Sequence, residues 1–231
     1  MGLAKALALY SGGKDSHYSL VLSYRNGIIP YVLVTAAPLR EDSWLFHGVN
    51  VSWCKLHGEA MGIPSFLIEV SGRKDRELNE FKRGLSRVLS LYPDVDYLIT
   101  GAVRSRYQLE KFKELSEELG LRLIAPLWGA DELILLRRES EELGFIVTAV
   151  QAYCLDYGIL GNPRTEEVFR SLLKAYRECG VSPVGEGGEF ETFVIRSPLF
   201  RGTSVALSKA RKVVYPNMYV GYYIIEHAYL I

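Results

Sequence analysis

Along the first half of the chain, apolar and polar positions alternate in two rhythms. Residues 3–10 form a short apolar run that stops at a glycine-rich turn, the pattern of a buried strand. Residues 16–25 follow with Leu20, Val21 and Tyr24 at helical spacing, and Gly27 stands where a helix C-terminal glycine belongs. Residues 31–37 and 64–70 read as strands and 49–61 as a helix. Residues 76–91 read as a helix with Leu78, Phe81, Leu85, Val88 and Leu89 on one face. A strand over 97–102, a helix over 105–119 closed by Gly120, and a strand over 121–127 complete the series. Strands separated by helices imply βαβ units and a parallel sheet, whose ligands bind at the carboxyl ends of the strands. Ser11 and Gly101 both lie at such ends, which predicts one shared site.

After Pro126-Leu127-Trp128-Gly129 the rhythm changes. A helix over 131–143 and a strand over 145–152 lead into an irregular stretch, and a helix over 165–179 begins at a capping sequence, Thr165-Glu166-Glu167-Val168. The remainder is β-rich. The expected fold class is α/β: an N-terminal parallel-sheet nucleotide-binding domain over 1–126, then a smaller α+β C-terminal domain over 127–231.

Composition narrows the function classes. The 231 residues are 48% hydrophobic and 23% charged, with Lys plus Arg equal to Asp plus Glu, so disorder is excluded and no global charge favours a nucleic-acid partner. The basic stretch 201–212 reads as a solvated edge. No segment has the length of a membrane span or the flanks of a signal peptide, which places the protein in the cytoplasm. Cys54, Cys154 and Cys179 are odd in number and far apart, so idle thiols in a reducing compartment are expected, without disulfide or zinc site. Sparse Asn and Gln hint at a thermophile.

Two constellations carry chemistry. Ser11-Gly12-Gly13-Lys14-Asp15-Ser16 follows a strand and opens a helix. Its glycines let the backbone approach a ligand, and the helix N-terminus favours an anion. Ser11 and Ser16 add hydroxyls, Lys14 a positive charge, and Asp15 a ligand for Mg²⁺, which phosphate chemistry needs. Gly185-Glu186-Gly187-Gly188-Glu189-Phe190-Glu191-Thr192 crowds three carboxylates on a glycine-rich turn. Such crowding raises their pKa values unless a cation sits among them, whether Mg²⁺, an ammonium nucleophile or a cationic substrate.

The first constellation resembles the PP-loop of ATP pyrophosphatases, enzymes of HUP-like fold that split ATP into AMP and pyrophosphate; it lacks Walker A spacing. Together the two resemble the diphthine–ammonia ligase (diphthamide synthetase) family. Leu45-Phe46-His47, Gly101-Ala102-Val103-Arg104-Ser105 with Tyr107-Gln108, Pro126-Leu127-Trp128, Leu160-Gly161 and Ser197-Pro198-Leu199-Phe200 resemble further segments of that family, in order. The helix after Gln108 reads Leu109-Glu110-Lys111-Phe112-Lys113-Glu114-Leu115-Ser116, a departure from the basic residues and the Cys that relatives commonly carry there. The resemblance implies a minimal archaeal-type ligase that amidates diphthine on elongation factor 2 through an acyl-adenylate, using ATP, Mg²⁺ and ammonium. It implies ATP binding by Ser11, Gly12, Gly13, Lys14, Asp15, Ser16, His47, Gly101 and Ser105, with Asp15 as metal ligand. Lys14, Glu186, Glu189 and Glu191 are the expected catalytic residues, the roles of the three glutamates undivided. Tyr107, Gln108, Trp128, Gly187 and Gly188 are expected to meet substrate. Trp128, Tyr153, Tyr157 and Phe190 are candidates for a trimethylammonium cage. His17 reads as structural, and His57 and His227 carry no assigned role. Neither membrane nor nucleic acid is an expected partner, and a homodimer is one open assembly. Two alternatives stay open: another PP-loop enzyme acting on tRNA, and a non-catalytic nucleotide sensor.

Overall fold

The computed structural model describes residues 4–39, 49–73 and 76–231. A five-stranded parallel sheet, in the order β3-β2-β1-β4-β5, is built from β1 (Ala4–Leu9), β2 (Ile28–Pro38), β3 (Ser65–Val70), β4 (Tyr97–Ile99) and β5 (Arg122–Ile124). Helices α1 (Lys14–Arg25), α2 (Cys54–Met61), α3 (Glu77–Leu91) and α4 (Arg106–Glu118) connect these strands. The chain then runs through α5 (Glu132–Glu142) into β6 (Gly144–Val150) and α6 (Thr165–Cys179). It ends in β7 (Phe190–Arg196), β8 (Val205–Tyr215) and β9 (Val220–Leu230), which join β6 in an antiparallel sheet of order β7-β6-β9-β8.

Period-two alternation in β1 explains the layering. Leu7 and Leu9 point to one face, where Phe81, Leu85 and Val88 of α3 and Phe112 and Leu115 of α4 cover them. Ala6 and Ala8 point to the other, and their small side chains let Tyr18, Leu20 and Val21 of α1 pack close. That second core continues without a break into Phe145, Val147, Phe193 and Val194 of the antiparallel sheet. The two sheets therefore share a core, and the chemistry collects along their junction.

Several elements differ from the sequence expectation for local reasons. The helix expected over 49–61 opens as a 3₁₀ turn, Val51–Trp53, before α2. β5 is only three residues long, because Pro126 has no amide to extend a ladder and a turn closes from Trp128 N–H to Ala125 O. Thr165 is not the cap of α6: Arg164 holds that position, and Glu167 accepts from Asn162 Nδ2 at 3.0 Å and Arg164 Nη1 at 2.8 Å. Cys154 and Cys179, expected as thiols, form a disulfide. The turn after β6 folds back on the end of α6 and brings their Cα atoms to 6.5 Å, a proximity that a separation of 25 residues hides. Cys54 is buried and free, and burial pushes its thiol up to about 12.

Candidate active site

The strand order reverses between β1 and β4, where the chain passes from one side of β1 to the other. A cavity of about 160 Å³ opens at the carboxyl ends of these strands. Leu9, Val34, Ala36, Phe81 and Phe112 make one part of its wall apolar; Ser11, Asp15, Ser16, Gln108 and Glu186 make another part polar. An apolar slot for a flat ring beside an anion-ready helix terminus suits a nucleotide.

Chain geometry makes the polar end possible. Gly12 has φ +80°, and a Cβ on it would sit 2.8 Å from Cys54 Sγ. Gly13 is the N-cap of α1 in extended conformation. A Cβ on Gly101 would meet the backbone N and Cα of Ser16 at 2.7 Å, so glycine is what lets the end of β4 touch the start of α1. Within the loop, Ser11 N–H and Ser11 Oγ–H both donate to Ser16 Oγ, at 3.3 and 3.0 Å. Lys14 N–H donates to Thr192 Oγ1 at 3.0 Å, and Val194 N–H to Gly12 O at 3.0 Å. The loop is thus clamped onto β7.

Lys14 is placed differently from a phosphate ligand. Its side chain is fully buried, and its Nζ reaches Asp15 Oδ1 at 2.7 Å, Glu139 Oε2 at 3.1 Å and Val184 O at 3.1 Å. Burial works against the ammonium, yet Asp15 and Glu139 hold its pKa above the ordinary value. Burial first, then Asp15, pushes the Glu139 carboxyl well above the usual carboxylate range, while Lys14 pulls it down. Glu139 is a buried charged residue that sequence reading missed. Its place in an ordinary amphipathic helix gives no signal.

The glutamate turn also differs from its sequence picture. Glu186 Oε1 accepts from the amides of Arg104 at 3.0 Å and Ser105 at 2.5 Å, and Ser105 caps α4. Glu189 accepts from Gly187 N–H at 2.8 Å and Ser182 N–H at 3.3 Å. Glu186 and Glu189 thus lie each in its own group of backbone N–H donors, which offset the repulsion between them. Glu191 lies in β7, in register with Ala149. Gly185, at φ +76°, could not carry a Cβ without meeting Phe190 O at 2.8 Å, and Gly188 sits at φ +79°.

Of the other expected residues, Gln108 and Gly101 line the cavity, whereas Tyr107 and Trp128 are exposed outside it. His47 lies outside the described residues. Among the cage candidates, the Phe190 ring is buried 5.7 Å from Lys14 Nζ and Tyr153 pairs with Tyr219 at 5.2 Å.

Beneath the loop, Tyr10, His17 and His57 form a buried network. His57 Nε2 lies 2.6 Å from Val194 O, which only accepts, so this nitrogen carries the proton. Tyr10 O–H therefore donates to His57 Nδ1 and accepts from His17 Nδ1–H, both at 2.7 Å. His17 Nε2 then accepts from Ser197 Oγ–H at 2.5 Å, and Leu199 N–H donates to Ser197 Oγ at 3.0 Å. Burial keeps both rings neutral, holding His57 at about 4 and His17 well below its usual value.

Among the described residues no group of three or more His, Cys, Asp or Glu is placed to hold a metal ion. Mg²⁺ commonly binds through one or two carboxylates completed by substrate phosphates and water, and Asp15 at the cavity wall fits that mode. No helix among the described residues is long and apolar enough to cross a membrane.

Comparison with known proteins accounts for both halves. The diphthine–ammonia ligase of Schizosaccharomyces pombe is 28% identical over 89% of this chain, which spans 36% of that protein. The Rattus norvegicus and Homo sapiens proteins of the same name are 28% and 27% identical over 85% of this chain, which spans 80% of each. A predicted subunit of tRNA methyltransferase from Methanocaldococcus jannaschii aligns over 84% of this chain and 97% of its own at 18% identity, with a TM-score of 0.44, too loose to bear on function. The diphthamide synthase N-terminal domain matches residues 4–123 and the C-terminal domain residues 131–231. With the loop in one matched region and the glutamate turn in the other, the chain belongs to the diphthamide synthase family.

Proposed function

We propose that the chain is an ATP-dependent carbon–nitrogen ligase that converts diphthine on elongation factor 2 to diphthamide, taking nitrogen from ammonium and releasing AMP and pyrophosphate. The observation that carries this reading is one cavity walled by Ser11, Asp15 and Ser16 from one family region and by Val184, Gly185 and Glu186 from the other. The curated relatives share the name diphthine–ammonia ligase.

A free carboxylate is a poor acyl donor, and adenylation gives it a good leaving group. In this reading Ser11, Gly12, Gly13 and Ser16 hold the departing pyrophosphate at the start of α1. Asp15 would hold Mg²⁺, whose charge eases phosphate departure. Leu9, Val34, Ala36 and Phe81 receive the base. Glu186, seated on the Arg104 and Ser105 amides, forms the wall facing the loop, and Glu189 shapes the turn. Trp128 and Tyr107 lie exposed for contact with the protein substrate. Residues 1–126 act as the nucleotide domain and 127–231 as the acceptor domain. The reaction takes place in the cytoplasm; the disulfide fits there if the source is a thermophile, whose intracellular proteins retain such bonds.

The test incubates the protein with ATP, Mg²⁺, ammonium and elongation factor 2 bearing diphthine, following AMP, pyrophosphate and the mass of the modified peptide. Stoichiometric AMP with acid-to-amide conversion supports the ligase. AMP without amide discards the acceptor, and ATP binding without turnover discards the enzyme.

A further inference from the structure

The Lys14 ammonium donates to Asp15 Oδ1 and Val184 O and forms an ion pair with Glu139 Oε2 at 3.1 Å. Those oxygens come from three pieces of chain: Asp15 in α1, Glu139 in α5, and Val184 just before the glutamate turn. Asp15 and Val184 both line the cavity, whereas Lys14 and Glu139 are wholly buried behind it. Glu139 itself gains little from its position: neither of its carboxylate oxygens has a hydrogen-bond partner among the described residues, and the Lys14 ion pair is what faces them. A buried ion pair of this kind is weak support for stability, because desolvation offsets the attraction.

The approach of α5 is nevertheless held firmly. Glu142, one turn beyond Glu139, accepts from Tyr18 Oη at 2.7 Å and Arg25 Nη2 at 2.6 Å, so one face of α5 is laced along α1. Glu139 is thereby delivered to the start of α1, where Lys14 waits.

We propose that Glu139 is a positioning residue: it fixes the Lys14 ammonium from behind, and Lys14 in turn sets the Asp15 carboxylate and the Val184 carbonyl in the cavity wall. Lys14 is then a strut between two walls of the site, and Glu139 is its footing. The kinetic part of the test rests on the proposed ATP reaction; the spectroscopic part does not.

The experiment compares Glu139→Met, Glu139→Gln, Lys14→Met and the double variant Lys14→Met/Glu139→Met. Displacing the strut by about 1 Å is expected to lower kcat for pyrophosphate release roughly 10- to 100-fold in Glu139→Met, with KM for ATP changed less than about threefold. Glu139→Gln, whose amide oxygen can still face the Lys14 ammonium, keeps most of the activity. The double variant is no slower than Lys14→Met alone. Should Glu139→Met not fold, Glu139→Asp, one methylene shorter, is expected to show the same kcat loss. In parallel, ¹⁵N-lysine spectra report the buried ammonium: a slowly exchanging signal present in the wild type and Glu139→Gln, and lost in Glu139→Met or Glu139→Asp. Wild-type kcat in a folded Glu139→Met or Glu139→Asp, kcat losses that multiply with that of Lys14→Met, or no protected ammonium in the wild type would each overturn the proposal. If the wild type releases no pyrophosphate, the ligase reading fails and the lysine signal alone decides the positioning.

Discussion

In the loop 11–16 the amides of Ser11, Gly13 and Lys14 donate to hydroxyl oxygens: Ser16 Oγ at 3.3 Å, Ser11 Oγ at 3.4 Å and Thr192 Oγ1 at 3.0 Å. Around the turn 185–191 the amides of Arg104, Ser105 and Gly187 donate to carboxylates at 3.0, 2.5 and 2.8 Å. Both segments are rich in glycine and both border one cavity. Bonds to ionised acceptors are about twice as strong as bonds to neutral ones. On the proposed function, a phosphate would displace the hydroxyls of the first loop, while the second already holds its anions. Counting charges in a motif says little about their availability; following each amide to its acceptor says more.

The strongest way to break this comparison is at Lys14. Lys14→Ala removes the support behind the first loop, and pyrophosphate release is expected to fall about 10²- to 10³-fold, measured by coupled assay. Retention of near wild-type rates would show that the loop needs no support. Next in size is reduction of Cys154–Cys179, which closes a separation of 25 residues and should contribute roughly 3 kcal/mol to stability. Cys154 lies three residues beyond Gln151, whose N–H donates to Glu189 O at 2.7 Å, so the loosening should appear at the glutamate turn first. Hydrogen exchange with and without reductant reads this out; equal protection of both segments would remove the distinction.

Acid should loosen the other side. The folded-state pKa of His57 lies near 4, below the unfolded value near 6.5, so the unfolded chain takes up the proton first. The stability from this group is complete above about pH 6.5 and falls as pH drops toward 4; by pH 5 the loss is about 2 kcal/mol. His17 acts in the same direction. Denaturant unfolding at pH 7.5 and 5.0 measures it, and His57→Gln should flatten the slope. The smallest effect is expected from Glu189→Gln, which keeps an acceptor but removes the charge. A loss of about 1 kcal/mol in thermal unfolding is expected, with ATP affinity unchanged. A large loss of ATP affinity would mean that the turn meets the nucleotide directly.

Much of this was legible in the sequence. Strand and helix rhythms placed β1, α1, α3 and α6 closely, because their apolar spacing answers to one packing surface each. Ser11, Asp15, Ser16, Gly101, Gln108 and Glu186 were all singled out and all line the cavity. Three features were hidden for a common reason: they depend on contacts between segments far apart in the chain. Glu139 sits 125 positions from the lysine it holds, by the residue numbers themselves. The disulfide needs the turn after β6 to meet the end of α6. The hydroxyl of Thr192, read as strand, accepts the amide of Lys14 across 178 residues. Local pattern says what an element is, and only tertiary packing says what it will face.

The chain of hydrogen bonds from Leu199 through Ser197, His17, Tyr10 and His57 to Val194 has one direction throughout, each group giving a proton one way and taking one from the other. It therefore behaves as a sentence with grammar. Reversing the donor and acceptor of any single member leaves a donor facing a donor, or an acceptor facing an acceptor, and deleting one leaves its neighbours unpaired in a buried place. A substitution at Tyr10, His17, His57 or Ser197 that reverses a donor or an acceptor should accordingly be tolerated only together with a compensating change next to it, so the way the loop is anchored couples these four positions.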